Sequence, residues 1–181
     1  MITTVIGAYP KPNFLKLPDW FQGNKGTDTD HPTKDYNNAI KNMGDDTESI
    51  FQKAAKEVII DQLESGIDII TDGEVRRENY IHYHCRHLEG IDFNNLTKKI
   101  ARTGNYECWL PTIINKIEPK DSFLVHDWTV AQKFSIKPVK ITIPGPMTIT
   151  DTIANKFYSS NKDLGQDLAK AINNEIKNLV K

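Results

Sequence analysis

A chain of 181 residues, 38% hydrophobic and 26% charged, can bury roughly 70% of the surface it exposes when unfolded, and this composition excludes a disordered chain. Its 23 basic residues balance 24 acidic ones, for a formal charge of -1, which argues against a generic nucleic-acid binder. Two cysteines, Cys85 and Cys108, make no secreted disulfide framework, Met1 opens on no basic leader, and no stretch nears the ~18 apolar residues of a membrane span; a cytoplasmic protein with no membrane partner is expected.

Thr3-Thr4-Val5-Ile6-Gly7 is a β-branched run closed by glycine, which predicts a buried strand opening into a loop. From residue 8 to about residue 45 the chain carries Pro10, Pro12, Pro18 and Pro32 among several Gly, Asn and Asp residues, and reads as a long connection of the functional or mobile kind. Asp45, Asp46 or Thr47 is placed to cap a helix whose apolar positions Ile50, Phe51, Ala54, Ala55, Val58, Ile59 and Leu63 follow the 3.6-residue period, with Gly66 as its stop. Ile67-Asp68-Ile69-Ile70-Thr71 follows at once as a second strand, so strand, helix and strand read as a parallel crossover. The polar, aromatic segment from Val75 to His87 predicts a short helix before Gly90. Pro111-Thr112-Ile113-Ile114 predicts a third strand, Asp121 or Ser122 a cap for a helix to about Phe134, and Val139-Lys140-Ile141-Thr142-Ile143 a fourth strand. Residues 163–180 form an amphipathic helix with Leu164, Leu168, Ala171, Ile172 and Ile176 on one face. Four strand-then-helix units in a row make the fold class α/β, a parallel sheet or part of a barrel, in which ligands sit at the carboxyl ends of the strands.

Those strand ends carry the candidate chemistry. Asp72 and Glu74 flank Gly73 just past the second strand, where a carboxylate can fix an ammonium group or act as a base; equally, Glu74 can pair with Arg76 or Arg77, or Asp72 can cap the next helix. Pro144-Gly145-Pro146 strips backbone donors and predicts a rigid turn, with room for a cis bond, either a ligand-pocket wall or a strand breaker. His82 with Cys85 and His84 with His87 have the spacing of metal-ligand pairs, but the two pairs do not share one helix face and no second cluster completes a site. Cys108, Trp109 and Trp128 read as core or pocket lining. No Gly-x-Gly-x-x-Gly, P-loop or Gly-x-Ser-x-Gly pattern is present.

In chain order, Thr3-Thr4-Val5-Ile6-Gly7-Ala8-Tyr9-Pro10, Gly66-Ile67-Asp68-Ile69-Ile70-Thr71-Asp72-Gly73-Glu74 and Lys140-Ile141-Thr142-Ile143-Pro144-Gly145-Pro146-Met147-Thr148 resemble the catalytic barrel of the cobalamin-independent methionine synthase family. The resemblance implies that residues 1–181 are the N-terminal half of a TIM-type barrel, about four of its eight βα units. It implies methyl transfer to the thiol of homocysteine, with zinc holding the thiolate. The backbone of Ile6, Gly7 and Ala8 would bind the amino-acid end of homocysteine or methionine, Glu74 would accept from its ammonium group, and Asp72, Gly145 and Pro146 would shape the pocket. Three departures accompany it. Ala8 stands where the family commonly has serine, and Tyr106-Glu107-Cys108 where the folate-binding members carry Arg-Cys, so the methyl donor is left between a folate and a corrinoid. The family's zinc ligands lie in the second half of the barrel, which leaves this chain without them. A half-barrel exposes strand edges and apolar helix faces, so a second half-barrel chain or a homo-oligomer is the expected partner. The alternatives are a non-catalytic amino-acid-binding or assembly module built on the same half-barrel, and an unrelated α/β enzyme using Asp72 and Glu74 with His82 or His84.

Overall fold

In the computed structural model, which describes residues 1–19, 21, 32–101 and 106–181, the elements in chain order are α1 (Pro32–Met43), α2 (Thr47–Glu64), β1 (Ile70–Thr71), α3 (Tyr80–Arg86), β2 (Leu88–Ala101), β3 (Tyr106–Pro119), α4 (Leu124–Gln132), β4 (Val139–Lys140), α5 (Pro146–Thr152), β5 (Ala154–Asn155) and α6 (Asn161–Leu179). They divide between two units. The described residues of the first come from Met1–Thr27, Pro32–Glu78 and Leu124–Thr142, and those of the second from Asn79–Phe123 and Ile143–Lys181.

In the first unit the period read at residues 50–63 forms α2, which buries Phe51, Ala54, Ala55, Val58 and Ile59. Gly66, at a positive φ of 77°, ends it, and the amides of Ser65 and Gly66 close back on Asp61 O and Leu63 O. No aspartate side chain caps the start: Gly44–Asp46 is a 3-10 turn, so Asp46 is already helical when α2 begins. The expected long connection contains α1; its residues 20 and 22–31 lie outside the described residues.

Helices α2 and α4 cover one face of a small parallel sheet through Ile59, Ile70, Ala131 and Val139. β1 pairs with β4, Ile70 opposite Val139, and Thr4 forms a parallel bridge to Ile69, so the spatial order is first segment, β1, β4. The first segment makes only this bridge and leaves Thr4 and Ile6 exposed, in place of the expected buried strand; β1 and β4 are shorter than expected, with side chains taking up neighbouring backbone groups. Buried Gln62 accepts from Thr71 N at 2.9 Å and donates to Thr71 O at 3.0 Å, Gln132 accepts from Val139 N at 3.0 Å, and Lys140 Nζ donates to Val5 O at 2.8 Å.

The second unit departs further from expectation. Residues 111–114 belong to β3, which runs antiparallel to β2 from Leu88 opposite Pro119 to Ala101 opposite Tyr106, rather than opening a third parallel unit. β2 went unread because Asp92, Asn94, Asn95, Lys98 and Lys99 break any alternation and register shifts interrupt the ladder between Asp92 and Thr97. β3 also pairs in parallel with β5, Thr112 opposite Ala154. α3 is shorter than the expected helix over residues 75–87, starting where Asn79 Oδ1 accepts from Ile81 N and His82 N. The segment at Pro146 is the start of α5, with proline in the first turn, and no described peptide bond is cis. α6 starts at Asn161, two residues before the expected Asp163, because Ser160 caps it. It lays Leu164, Leu168 and Ala171 against Ile113, Ile117, Ile149 and Ile153. The architecture is mixed α/β, and among the described residues no helix is long and apolar enough to cross a membrane.

Candidate functional site

The site lies in the first unit, just past β1. Thr71 Oγ1 donates to Gly7 O at 2.9 Å and accepts from Gly73 N at 3.1 Å, and Tyr9 N donates to Gly73 O at 3.1 Å. These bonds lay residues 7–9 alongside residues 71–74. Contact is close enough to require two glycines: a Cβ on Gly73, at φ 69°, would stand 2.4 Å from Val58 Cγ1, and one on Gly7 would stand 2.6 Å from Glu74 Oε1 and 2.8 Å from Thr142 Cγ2. Glu74 itself adopts φ 53°, a left-handed conformation that costs a non-glycine residue about 1 kcal/mol or more. That turn directs its carboxylate to Gly7 and Thr142.

Arg77, 2% exposed, organises the carboxylates. Its Nη1 donates to Thr142 O at 3.0 Å and to Thr142 Oγ1 at 2.9 Å, and Thr142 Oγ1 in turn donates to Glu74 Oε1 at 2.5 Å. Arg77 also forms ion pairs with Asp72 at 3.5 Å and Glu74 at 3.6 Å. Asp72 Oδ1 accepts from Glu74 N at 3.3 Å rather than capping a helix. Arg76 points elsewhere, to Glu48 at 2.8 Å and Asp127 at 3.3 Å, and this pairing holds the Glu48 carboxyl down at about 2.

Of the residues expected to bind substrate, Gly7, Asp72 and Glu74 therefore come together. The amides of Gly7 and Ala8 meet no acceptor among the described residues, and the side chain of Ile6 is 95% exposed. Gly145 and Pro146 belong to the second unit, where Gly145 O accepts from Ile149 N at 3.2 Å at the start of α5. The pairing of Glu74 with Arg77 that the sequence allowed is present; sequence reasoning missed Thr142 between them, and Lys11. Lys11 is 8% exposed; burial pushes its ammonium pKa down, against the pull of the Asp19, Glu74 and Glu78 carboxylates. Its setting between Pro10 and Pro12 was the available signal.

The histidines of the second unit have local roles. His84 Nδ1 lies 2.7 Å from Tyr80 O, and His87 Nδ1 lies 2.7 Å from Asp121 Oδ1 with its ring stacked on Phe123 at 3.9 Å. His82 has no hydrogen-bond partner on either ring nitrogen among the described residues, and burial pushes its pKa down to about 4. Cys85 is fully buried in the apolar core. Among the described residues no three His, Cys, Asp or Glu side chains gather around a point that could hold a metal. On the hairpin, Glu107 pairs with Lys98 at 2.7 Å, Cys108 is buried and Trp109 is 40% exposed; the side chain of Tyr106 lies outside the described residues.

Comparison with known proteins places the chain. The family described as "Cobalamin-independent synthase, Catalytic domain" matches residues 1–181. Methionine synthases of Saccharolobus solfataricus and Sulfolobus acidocaldarius are 36% and 34% identical over 179 residues, which cover 98% of this chain and 48% of each of theirs. The chain thus spans about half the length of the curated relatives it matches. Among solved structures, a B12-independent methionine synthase from Shewanella sp. W3-18-1 in complex with selenomethionine superposes with a TM-score of 0.80 at 28% identity, over 98% of this chain and 47% of that one. A putative vitamin-B12 independent methionine synthase from Listeria monocytogenes, at 18% identity and a TM-score of 0.60 over 82% of this chain and 44% of that one, shares the fold. The match of the family to the full 181 residues, with relatives above 30% identity, means that the chain belongs to the cobalamin-independent synthase catalytic-domain family.

Proposed function

We propose that this chain is the substrate-holding half of a methionine synthase-like methyltransferase: it binds the amino-acid end of homocysteine or methionine, and a second half-barrel completes the active site. The observation that carries this reading is Glu74, turned by its left-handed backbone toward Gly7 and fixed by Thr142 and Arg77. Asp72 and Glu74 together outnumber the one guanidinium they share, and surplus negative charge there suits an ammonium ligand. The amides of Gly7 and Ala8 are donors for the ligand's carboxylate. The Shewanella relative was solved with selenomethionine, a ligand of the same chemical class. Ile6 acts through its backbone alone in this reading.

Residues 1–181 form about four of the eight βα units in this reading, with the β2–β3 hairpin inserted among them. The relatives' doubled length supports a second half, and exposed Ile2 and Ile6 on the first strand suit a strand edge awaiting a neighbour. Zinc, which would activate the homocysteine thiol, belongs to that second half in this reading, since no three metal-ligating side chains gather among the described residues here. The methyl donor is a folate or a corrinoid. Glu107 on the hairpin favours the corrinoid, since an acidic residue repels a polyglutamate tail.

Calorimetry with methionine tests the binding site. Glu74→Gln keeps the shape of the side chain and removes its charge; affinity is expected to fall at least tenfold, about 1.4 kcal/mol, with the melting temperature nearly unchanged. Equal affinity in the two proteins rejects the site.

A further inference from the structure

We propose that the open sheet face of the first unit is the surface on which the second half-barrel docks, and that this partner sets a carboxylate against Lys140. This rests on the half-barrel reading above and deepens it by giving the partner's chemistry. Successive side chains of a strand point to opposite faces of the sheet. One face is covered, since Ile70 and Val139 lie under α2 and α4 with Ile59 and Ala131. The neighbours of those residues point the other way. Ile69, which bridges to Thr4, is 36% exposed, and Ile2 and Ile6 are 77% and 95% exposed, with Thr4 exposed between them. Lys140, next to Val139, shares this open face: its Nζ reaches past β1 to donate to Thr4 Oγ1 at 3.0 Å and to Val5 O at 2.8 Å.

Both acceptors of this partly buried ammonium are neutral, and among the described residues it forms no ion pair. The carboxylates of the sheet are engaged elsewhere. Asp68 accepts from Thr3 N at 2.8 Å and Thr3 Oγ1 at 2.9 Å, and Asp72 and Glu74 pair with Arg77. An ammonium has three donors, so one remains beyond Thr4 and Val5, and water serves it while the face is open. A partner that covers Ile2, Ile6 and Ile69 takes that water away, and an ammonium buried without an anion is strongly destabilising. The partner must therefore bring the anion. A second copy of this chain, docked by the same face, brings another Lys140 and the same isoleucines, and like charges opposed across such an isologous interface repel. Charge complementarity thus selects a different chain, with apolar side chains for the isoleucines and a carboxylate for Lys140.

The full chain, co-expressed with the C-terminal half of one of its full-length relatives and purified as the complex, allows the dissociation constant to be measured by sedimentation. Lys140→Met is expected to weaken the complex roughly tenfold or more and Lys140→Glu roughly a hundredfold or more, while Lys140→Arg stays within about threefold of the native chain. Lys140→Gln separates charge from the bond to Val5 O, because it keeps a donor and loses the cation; it is expected to weaken the complex as Lys140→Met does. Native affinity in Lys140→Met, Lys140→Glu or Lys140→Gln overturns the inference and leaves the half-barrel reading standing. So does a chain that, alone and carrying Lys140→Met, dimerises more tightly than the native one, since the face would then belong to a second copy. A native chain that forms no complex removes the half-barrel reading and the inference with it. Thermal melting of each variant checks its fold, and should Lys140→Met fold poorly, Lys140→Gln carries the comparison.

Discussion

Gly7 ties the candidate site to stability. A methyl group there would meet Glu74 Oε1 at 2.6 Å and Thr142 Cγ2 at 2.8 Å, so both side chains must shift. Gly7→Ala is therefore expected to cost about 1 to 3 kcal/mol of stability while displacing Glu74 and weakening methionine roughly tenfold; denaturant titration beside calorimetry checks both. His82 makes the opposite case. Burial holds its pKa at about 4 against about 6.5 in an unfolded chain, so between those values the unfolded chain binds the extra proton. The His82 contribution is thus present above pH ~6.5 and lost as pH falls toward 4, on the order of 3 kcal/mol in full. His82→Leu should flatten the difference in unfolding free energy between pH ~7 and ~5, and an unaltered difference would show that other groups set it. At this scale the sequence disclosed Asp72 and Glu74, because carboxylates flanking a glycine after an apolar strand are conspicuous. It did not disclose Thr142, which joins Arg77 to Glu74 from 68 residues beyond Glu74, a link that no local pattern encodes.

Among the elements, α2 was legible from its period and from Gly66, since burial of one face and a left-handed stop are local properties. The β2–β3 hairpin was not. Its strands lack alternation, and its pairing depends on Gly90, whose φ is 87° and whose added Cβ would lie 2.4 Å from Lys116 O. Because that neighbour is backbone and cannot swing aside, Gly90→Ala should destabilise the second unit by about 1 to 3 kcal/mol. Hydrogen exchange localises the effect: faster exchange is expected across β2 and β3, with α2 and β1 unaffected. The parallel bridge between Thr4 and Ile69 followed from the crossover order. The antiparallel turn of β3 did not, because residues 111–114 read alike in either direction.

For the whole molecule, family membership and a span of about half the relatives' length stand beside a charged cluster at Asp72, Glu74 and Arg77 and, among the described residues, no gathering of three metal-ligating side chains. Composition and length alone suggested a self-sufficient domain; the ordered motifs pointed to half of a barrel. The decisive measurement is methionine formation from homocysteine, with methylated folate or methylcorrinoid as donor and zinc supplied, by the 181-residue chain alone and mixed with the C-terminal half of a full-length relative. The account predicts methionine only from the mixture, and a large loss on Glu74→Gln. Turnover by the chain alone, or by a mixture indifferent to Glu74→Gln, would contradict it.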